Sequence, residues 1–230
     1  MHVIGIKTLL RRLGRRLLGT ITHFETDERV VALTFDDGPH TEYTPRLLTV
    51  LEKHNASATF FMVGEQAARH SELVRRVAEA GHTVANHSWD HPCFTEISGP
   101  QRRDQIRACR RALTPYGERF FRAPWGKLDA ASYLDVFFLR HETIGWDVQV
   151  EDWVEQDPHR MADLLGSRVK PGSIVLLHDA VMPGKNGGEL HQDRKAMFEA
   201  LNVFMERWGR AFRFVTVPEM FRLGRPVRAL

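Results

Sequence analysis

The 230-residue sequence predicts an α/β fold in one domain, built on a parallel sheet of about seven strands. Three observations predict it. Short β-rich runs alternate along the chain with longer runs of helical periodicity. Several β-rich runs are almost continuously apolar, Ile174-Val175-Leu176-Leu177 among them, as a strand covered on both faces requires. The connections are short, and no linker, low-complexity segment or internal repeat divides the chain.

Composition agrees. With 43% hydrophobic and 27% charged residues, the chain has the balance of a globular protein, which excludes collagen-like, disordered and disulfide-scaffold classes. No run approaches the roughly 18 apolar residues of a membrane span. A net charge of +3 is too small to imply nucleic-acid binding, and no nucleic-acid partner is expected. Cys93 and Cys109 are the only cysteines; their spacing implies no bridge, and two lone thiols fit a reducing compartment.

The elements follow in order. Residues 1–27 form a basic lead-in: Lys7, Arg11, Arg12, Arg15 and Arg16 stand among Leu9, Leu10, Leu13, Leu17 and Leu18, with no acid in the first twenty residues. The arginines interrupt the apolar run an export signal needs. The segment reads as an amphipathic helix capping the domain, with peripheral contact to an anionic membrane as the alternative. A cytoplasmic, monomeric protein is expected, with export left open. The domain proper spans 28–220, and 221–230 is a tail. Within it, strands are expected at 30–35, 58–63, 83–86, 120–122, 143–147, 173–177 and 213–217. Helices are expected at 45–54, 66–80, 102–113, 130–139, 159–169 and 195–207. Such a sheet is open and doubly wound or closed into a barrel.

The chemistry gathers at the strand ends, the face where parallel α/β folds build their sites. Thr34-Phe35-Asp36-Asp37-Gly38-Pro39 sets two carboxylates before a turn; one can bind a cation while the other remains a base. Asn86-His87-Ser88-Trp89-Asp90-His91 spaces two histidines four apart, which on a helical turn puts both imidazoles on one side. With a free aspartate they make a two-histidine, one-carboxylate set that leaves positions on a metal open. Phe121-Arg122-Ala123-Pro124-Trp125-Gly126 offers an arginine to a carboxylate. Gly145-Trp146-Asp147 and Glu151-Asp152-Trp153 place tryptophans beside acids, as a sugar groove does. Val175-Leu176-Leu177-His178-Asp179 ends a buried strand on a histidine. Five such clusters at five strand ends point to metal-assisted hydrolysis.

These residues resemble, in order, the five motifs of the polysaccharide deacetylases, the NodB-homology enzymes of carbohydrate esterase family 4, over about residues 28–220. The resemblance implies a distorted (β/α) barrel of about seven strands and removal of acetyl groups from N-acetylglucosamine-type sugars. It implies Asp36 as general base, with Asp37, His87 and His91 as ligands of a metal, usually zinc, with cobalt or nickel as substitutes. Arg122 would hold the base, Trp125 lend a backbone N–H to the oxyanion, and Asp152 orient His178, the general acid. Trp153 would wall the groove and Leu176 receive the acetyl methyl. One position departs from the pattern: Gln149 stands where an acid is common, three residues before Asp152. The expected partner is an N-acetylated sugar or oligosaccharide, short and soluble if the enzyme stays in the cytosol, with the segment 182–190 folding over the pocket. The alternative is a related metal-dependent amidase acting on a non-acetyl amide, a formylated sugar or a cyclic ureide.

Overall fold

Strand β2 (Val30–Asp36) is buried along its whole length and sets the frame. Alternate side chains of a strand face opposite ways. Val31, Leu33 and Phe35 enter the core beneath the outer helices, whereas Val30 and Ala32 join a second apolar cluster inside the curl of the sheet. Thr34 and Asp36 continue this inner face toward the C-terminal end. The interior is therefore apolar at one end and polar at the other.

The structure is a computed structural model that describes residues 19–182 and 193–229. Residues 1–18 of the basic lead-in and nearly all of the stretch 182–190 lie outside them, and residues 20–25 of that lead-in form a strand rather than an amphipathic helix. Seven strands hydrogen-bond in the order β6 (Glu142–Thr143), β5 (Gly117–Phe121), β4 (Thr83–Asn86), β3 (Ala58–Met62), β2, β8 (Ile174–His178) and β7 (Val148–Gln149). Every pairing is parallel. A short β9 (Arg213–Phe214) adds to the start of β2. The sheet curls into a distorted, incomplete barrel. Helices α1 (Tyr43–Lys53), α2 (Gly64–Arg69), α3 (Ser71–Glu79), α4 (Gly99–Ala112), α5 (Ala130–Phe138), α6 (Pro158–Arg168), α7 (Lys195–Trp208) and α8 (Val217–Leu223) complete the fold.

The differences from the sequence reading have local causes. The helix expected over 66–80 breaks at His70, which ends α2 and begins α3 with non-helical dihedrals. The strand expected over 143–147 stops at Thr143, because Gly145 gives its N–H to Ile21 and its carbonyl to Arg122. The strand expected over 213–217 stops early because Thr216 and Glu219 form a reciprocal capping box that starts α8.

The chain on either side of residues 28–220 is also part of the fold. Strands β1 (Thr20–Glu25) and β10 (Arg225–Ala229) pair as an antiparallel ribbon. Ile21 and Phe24 of β1 are fully buried in the inner cluster. The ribbon crosses the opening between β6 and β8, where Ile21 meets Ile144 and His23 meets Ser173. Gly172 admits this approach: at φ +87, an added Cβ would lie 1.9 Å from the Phe24 carbonyl oxygen.

Candidate active site

Register puts the first two groups side by side. Asp36 is the partner of His178 across the parallel pair β2–β8, and both face inward at the strand ends. Leu176 lies one inward step below His178 and is 4% exposed. Asp37 follows in the left-handed region at φ 74, a conformation that short polar residues tolerate best. That turn aims the second carboxylate into the same space by another route.

The histidines arrive differently from the expectation. Residues 87–91 are not a helical turn. Asn86 Oδ1 accepts the Ser88 N–H and Ser88 Oγ accepts the His91 N–H, while Ser88 and His91 both take positive φ. This folded-back loop brings the two imidazole centroids to 5.0 Å. His87 Nδ1 donates to the Arg122 carbonyl at 2.9 Å, so in the neutral ring the Nε2 lone pair faces the pocket.

Asp37 Oδ1 lies 3.3 Å from His87 Nε2 and 3.2 Å from His91 Nε2. It is buried and takes no hydrogen bond, whereas Oδ2 accepts the Met182 N–H at 2.8 Å. Burial alone would raise this carboxyl, but the three imidazoles of His87, His91 and His178 outweigh it and hold it well below the usual range. Burial pushes His91 down to about 4, so it stays neutral with a lone pair to give. One ligand atom from each of Asp37, His87 and His91 lies within 4.8 Å of the others. An orphaned carboxylate oxygen between two imidazole Nε2 atoms is a donor set that fits a divalent cation of zinc type.

Behind the pocket, the buried Arg122 guanidinium fixes the other aspartate. It gives hydrogen bonds to Asp36 Oδ1 at 2.7 Å, Thr34 Oγ1 at 2.8 Å and the Gly145 carbonyl at 2.8 Å, and lies over the Phe61 ring. Asp36 Oδ2 points toward the histidines, 3.7 Å from His87 Nε2. On the other wall, Asp152 accepts from His178 twice: its Oδ2 takes the backbone N–H at 2.9 Å and its Oδ1 faces the ring Nδ1 at 3.0 Å. Burial opposes charge on His178, yet Asp152, Asp37 and Asp36 together raise it to about 9. At neutral pH it is an acid with a proton to give.

The ten residues read from sequence therefore converge on one cavity of about 290 Å³. Eight line it, and Arg122 and Asp152 stand behind its wall. Trp125, on the turn after β5 at φ 61, packs edge-on to His91; Trp153 packs edge-on to His178. Gln149 also lines the cavity and accepts the Trp146 indole N–H at 2.9 Å. Asp147, by contrast, lies away from the pocket, bound to the Ile174 N–H and the Ser173 hydroxyl.

Three residues without an assigned role support the pocket. Arg194, fully buried, gives Nη1 hydrogen bonds to the Asp152 carbonyl at 2.9 Å and Oδ2 at 3.3 Å. The buried Asp179 accepts from the Thr44 hydroxyl and sits beneath Gly38, where a Cβ would come within 2.3 Å of its carboxylate. Burial, with the charges of Asp37 and Asp36, raises Asp179 to about 7. Thr34 bridges Arg122 and the Val175 carbonyl. Thr34 and Asp179 stand within motifs the sequence marks, but their partners, like that of Arg194, lie far away in sequence.

Comparison with known proteins agrees with this geometry. The family model for polysaccharide deacetylase matches residues 23–137. A peptidoglycan-N-acetylglucosamine deacetylase of Bacillus cereus is 31% identical over 198 residues, covering 85% of this chain and 69% of the relative. A chitooligosaccharide deacetylase of Bradyrhizobium is 36% identical over 161 residues, covering 68% of this chain and 74% of the relative. Among solved structures, the Bc1960 peptidoglycan N-acetylglucosamine deacetylase superposes with a TM-score of 0.81 at 26% identity, over 95% of this chain and 98% of that one. A pseudoenzyme of the same family from Bacillus anthracis superposes at 0.78 with 25% identity, over 90% and 70% of the two chains, so shape alone does not decide activity. By sequence and by fold, the chain belongs to the polysaccharide deacetylase family.

Proposed function

We propose that this protein hydrolyses the N-acetyl group of N-acetylglucosamine units in peptidoglycan-type or chitooligosaccharide glycans, releasing acetate and leaving a free amine. The supporting observation is the meeting of Asp36, the Asp37–His87–His91 set and His178 in one tryptophan-walled pocket. The named activities of its relatives agree with it.

In this reading Asp37, His87 and His91 hold a divalent cation, zinc or a substitute such as cobalt or nickel, which supplies Lewis acidity toward a carbonyl oxygen and acidifies a water. Asp36 is the general base. Arg122 holds its Oδ1, so Oδ2 takes the proton as a water oxygen attacks the acetamide carbon. Negative charge then grows on the former carbonyl oxygen, beside the backbone N–H of Trp125, a donor fixed before reaction begins. An amine is too basic to leave as an anion. His178, held through Nδ1 by Asp152, gives its proton from Nε2 to the amide nitrogen as the C–N bond breaks. Leu176 takes the acetyl methyl, and Trp125 and Trp153 offer faces for the sugar rings.

The test is acetate release by the zinc-loaded full chain from N-acetylchitooligosaccharides, monomer to hexamer in order, and from purified peptidoglycan, with free amine counted in parallel. Acetate and amine should appear in equal amounts. Formate or a ring-opened acid from other amides, with no acetate, would replace this reading with that of a non-acetyl amidase. The same series, compared per accessible acetyl group, tests the preference for short soluble chains.

A further inference from the structure

Three of the five exposed large hydrophobic side chains among the described residues stand on one helix, α5. Helix α5 buries Ser132, Asp135 and Val136, and Val136 packs in a cluster with Phe94, Ile106, Phe121 and Ala123. Arg102 and Arg103 of α4 clamp Asp135 on that inner side at 2.7 and 2.6 Å. The outer side is apolar as well. Leu134, Phe137 and Phe138 are 42%, 44% and 72% exposed, at the three- and four-residue spacings that place them on one helical face. The two phenylalanine rings meet edge to face at 5.8 Å. Adjacent exposed aromatic residues on one helix face are unusual for a surface that meets only water.

The surroundings of this face are basic. Arg140 follows the helix and is exposed; Arg110 and Arg111 end α4, and Arg119 lies in β5, all exposed. Arg110 and Arg119 are close enough for their charges to act on His141, which lines the same cleft as Phe137, Tyr133, Gly19 and the mutually neutralising Arg228–Glu142 ion pair. None of Arg110, Arg111, Arg119 and Arg140 is in an ion pair among the described residues. Gly19 also lines this cleft, and the sequence before it carries Lys7, Arg11, Arg12, Arg15 and Arg16 with no acid. An apolar centre with a cationic collar complements a surface that is anionic outside and apolar beneath. A second copy of the chain does not complement it, because twofold pairing would set arginine collar against arginine collar.

We infer that the exposed face of α5 and its arginine collar form a docking surface for an anionic lipid bilayer. Leu134, Phe137 and Phe138 enter the interfacial region while Arg110, Arg119 and Arg140 lie among the lipid phosphates. The direction of the fold gives this arrangement a consequence. Helix α5 runs from the C-terminal side of β5 back to the start of β6, so Phe138 and Arg140 sit at the end of the barrel opposite the Asp37–His87–His91 pocket. A chain docked this way holds its pocket away from the membrane, open to glycan that stands out from the lipid.

Vesicle sedimentation of the full chain tests this, with phosphatidylcholine alone and phosphatidylcholine mixed with phosphatidylglycerol. The expected result is binding to the mixed vesicles only, lost as salt rises from ~0.1 M to ~1 M and the screening length falls from about 10 to 3 Å. Phe138→Ser should lower partitioning about tenfold or more, by the burial value of an aromatic side chain. Each of Arg110→Gln, Arg119→Gln and Arg140→Gln should lower it about fivefold, by the value of one cation near an anionic surface. These exposed variants should keep the melting temperature and the deacetylation rate on soluble oligosaccharide, which shows that the fold and pocket are intact. Wild-type binding by Phe138→Ser, with loss only when Arg11, Arg12, Arg15 and Arg16 are changed to Gln, would overturn the assignment of α5. Equal binding to both vesicle types would overturn the charge argument. A dimer in sedimentation equilibrium that Phe138→Ser dissolves, with no vesicle binding, would give the face to a second copy instead.

Discussion

Asp36 and Asp37 stand next to one another at a strand end, yet their carboxylates meet different partners. Asp36 stays on the inner face and pairs with Arg122, while Asp37 turns through positive φ to face two imidazoles. Asp36→Asn should therefore leave cation content unchanged and lower kcat by about 10²–10⁴-fold, the usual contribution of a general base; elemental analysis beside steady-state kinetics checks both halves. Combined with His178→Ala, the loss should be far less than the product of the two, because both act in one transition state. The site residues were legible because each stands in a dense local motif at the end of an apolar run. Arg194 was not legible: it follows His178 by a long, pattern-free interval and reaches Asp152 only through the packing of α7. It gives one hydrogen bond to the Asp152 backbone carbonyl and one to the carboxylate that holds His178. Arg194→Met should lower kcat by up to about 10²-fold with little change in KM, the effect expected of a small displacement of a reacting group. It should also lower Tm, since a buried carboxylate loses one of its two cationic partners. Arg194→Lys should recover part of both.

At the scale of elements, apolar runs predicted β2, β3, β4 and β8 well because those strands are buried on both faces. They failed where pairing comes from afar: β7 has two residues and exists by pairing with β8, and the β1–β10 ribbon joins the two ends of the fold. The β3–β4 edge also carries a pH dependence. His82, just before β4, accepts the Ala58 N–H on Nδ1 at 3.2 Å, and its ring lies 5.5 Å from Phe60. An acceptor nitrogen must be unprotonated, and burial lowers His82 to about 4 from an ordinary 6.5. Between those values the unfolded chain binds more protons than the folded one, so stability falls as pH drops from about 6.5 to about 4. The ring is only partly buried, which discounts the full shift to about 1 kcal/mol, or about 2–4 °C in Tm for a chain of this size. His82→Gln keeps an acceptor but cannot titrate. Melting curves at pH 7 and pH 4 should show its acid loss smaller than the wild type's by that amount; equal losses would remove His82 as the cause.

At the scale of the whole molecule, the candidate cation site ties together segments that the sheet holds only side by side. Asp37 follows β2, His87 and His91 follow β4, and the Asp37 Oδ2 takes the N–H of Met182 beyond β8. The sequence pointed to the three candidate ligands but not to this last tie, which depends on β8 lying next to β2 rather than on any motif. The folded chain has all three ligand atoms within 4.8 Å, an arrangement the unfolded chain does not possess. A cation bound there must stabilise the fold by RT ln(1 + [L]/Kd), about 2.7 kcal/mol when the free cation is 100-fold above its Kd. At roughly 2–4 °C per kcal/mol, that is a rise in Tm of about 5–11 °C. Differential scanning fluorimetry with zinc should show this rise, and a chelator should reverse it. The variants then separate structure from chemistry. Asp37→Asn should melt without response to zinc, since its amide keeps the shape but not the charge of the ligand. Asp36→Asn should keep the full zinc response while losing activity, since Asp36 contributes no atom to the three-ligand set. A wild-type melt unmoved by zinc, or one that moves equally in Asp37→Asn, would separate the Asp37–His87–His91 set from cation binding.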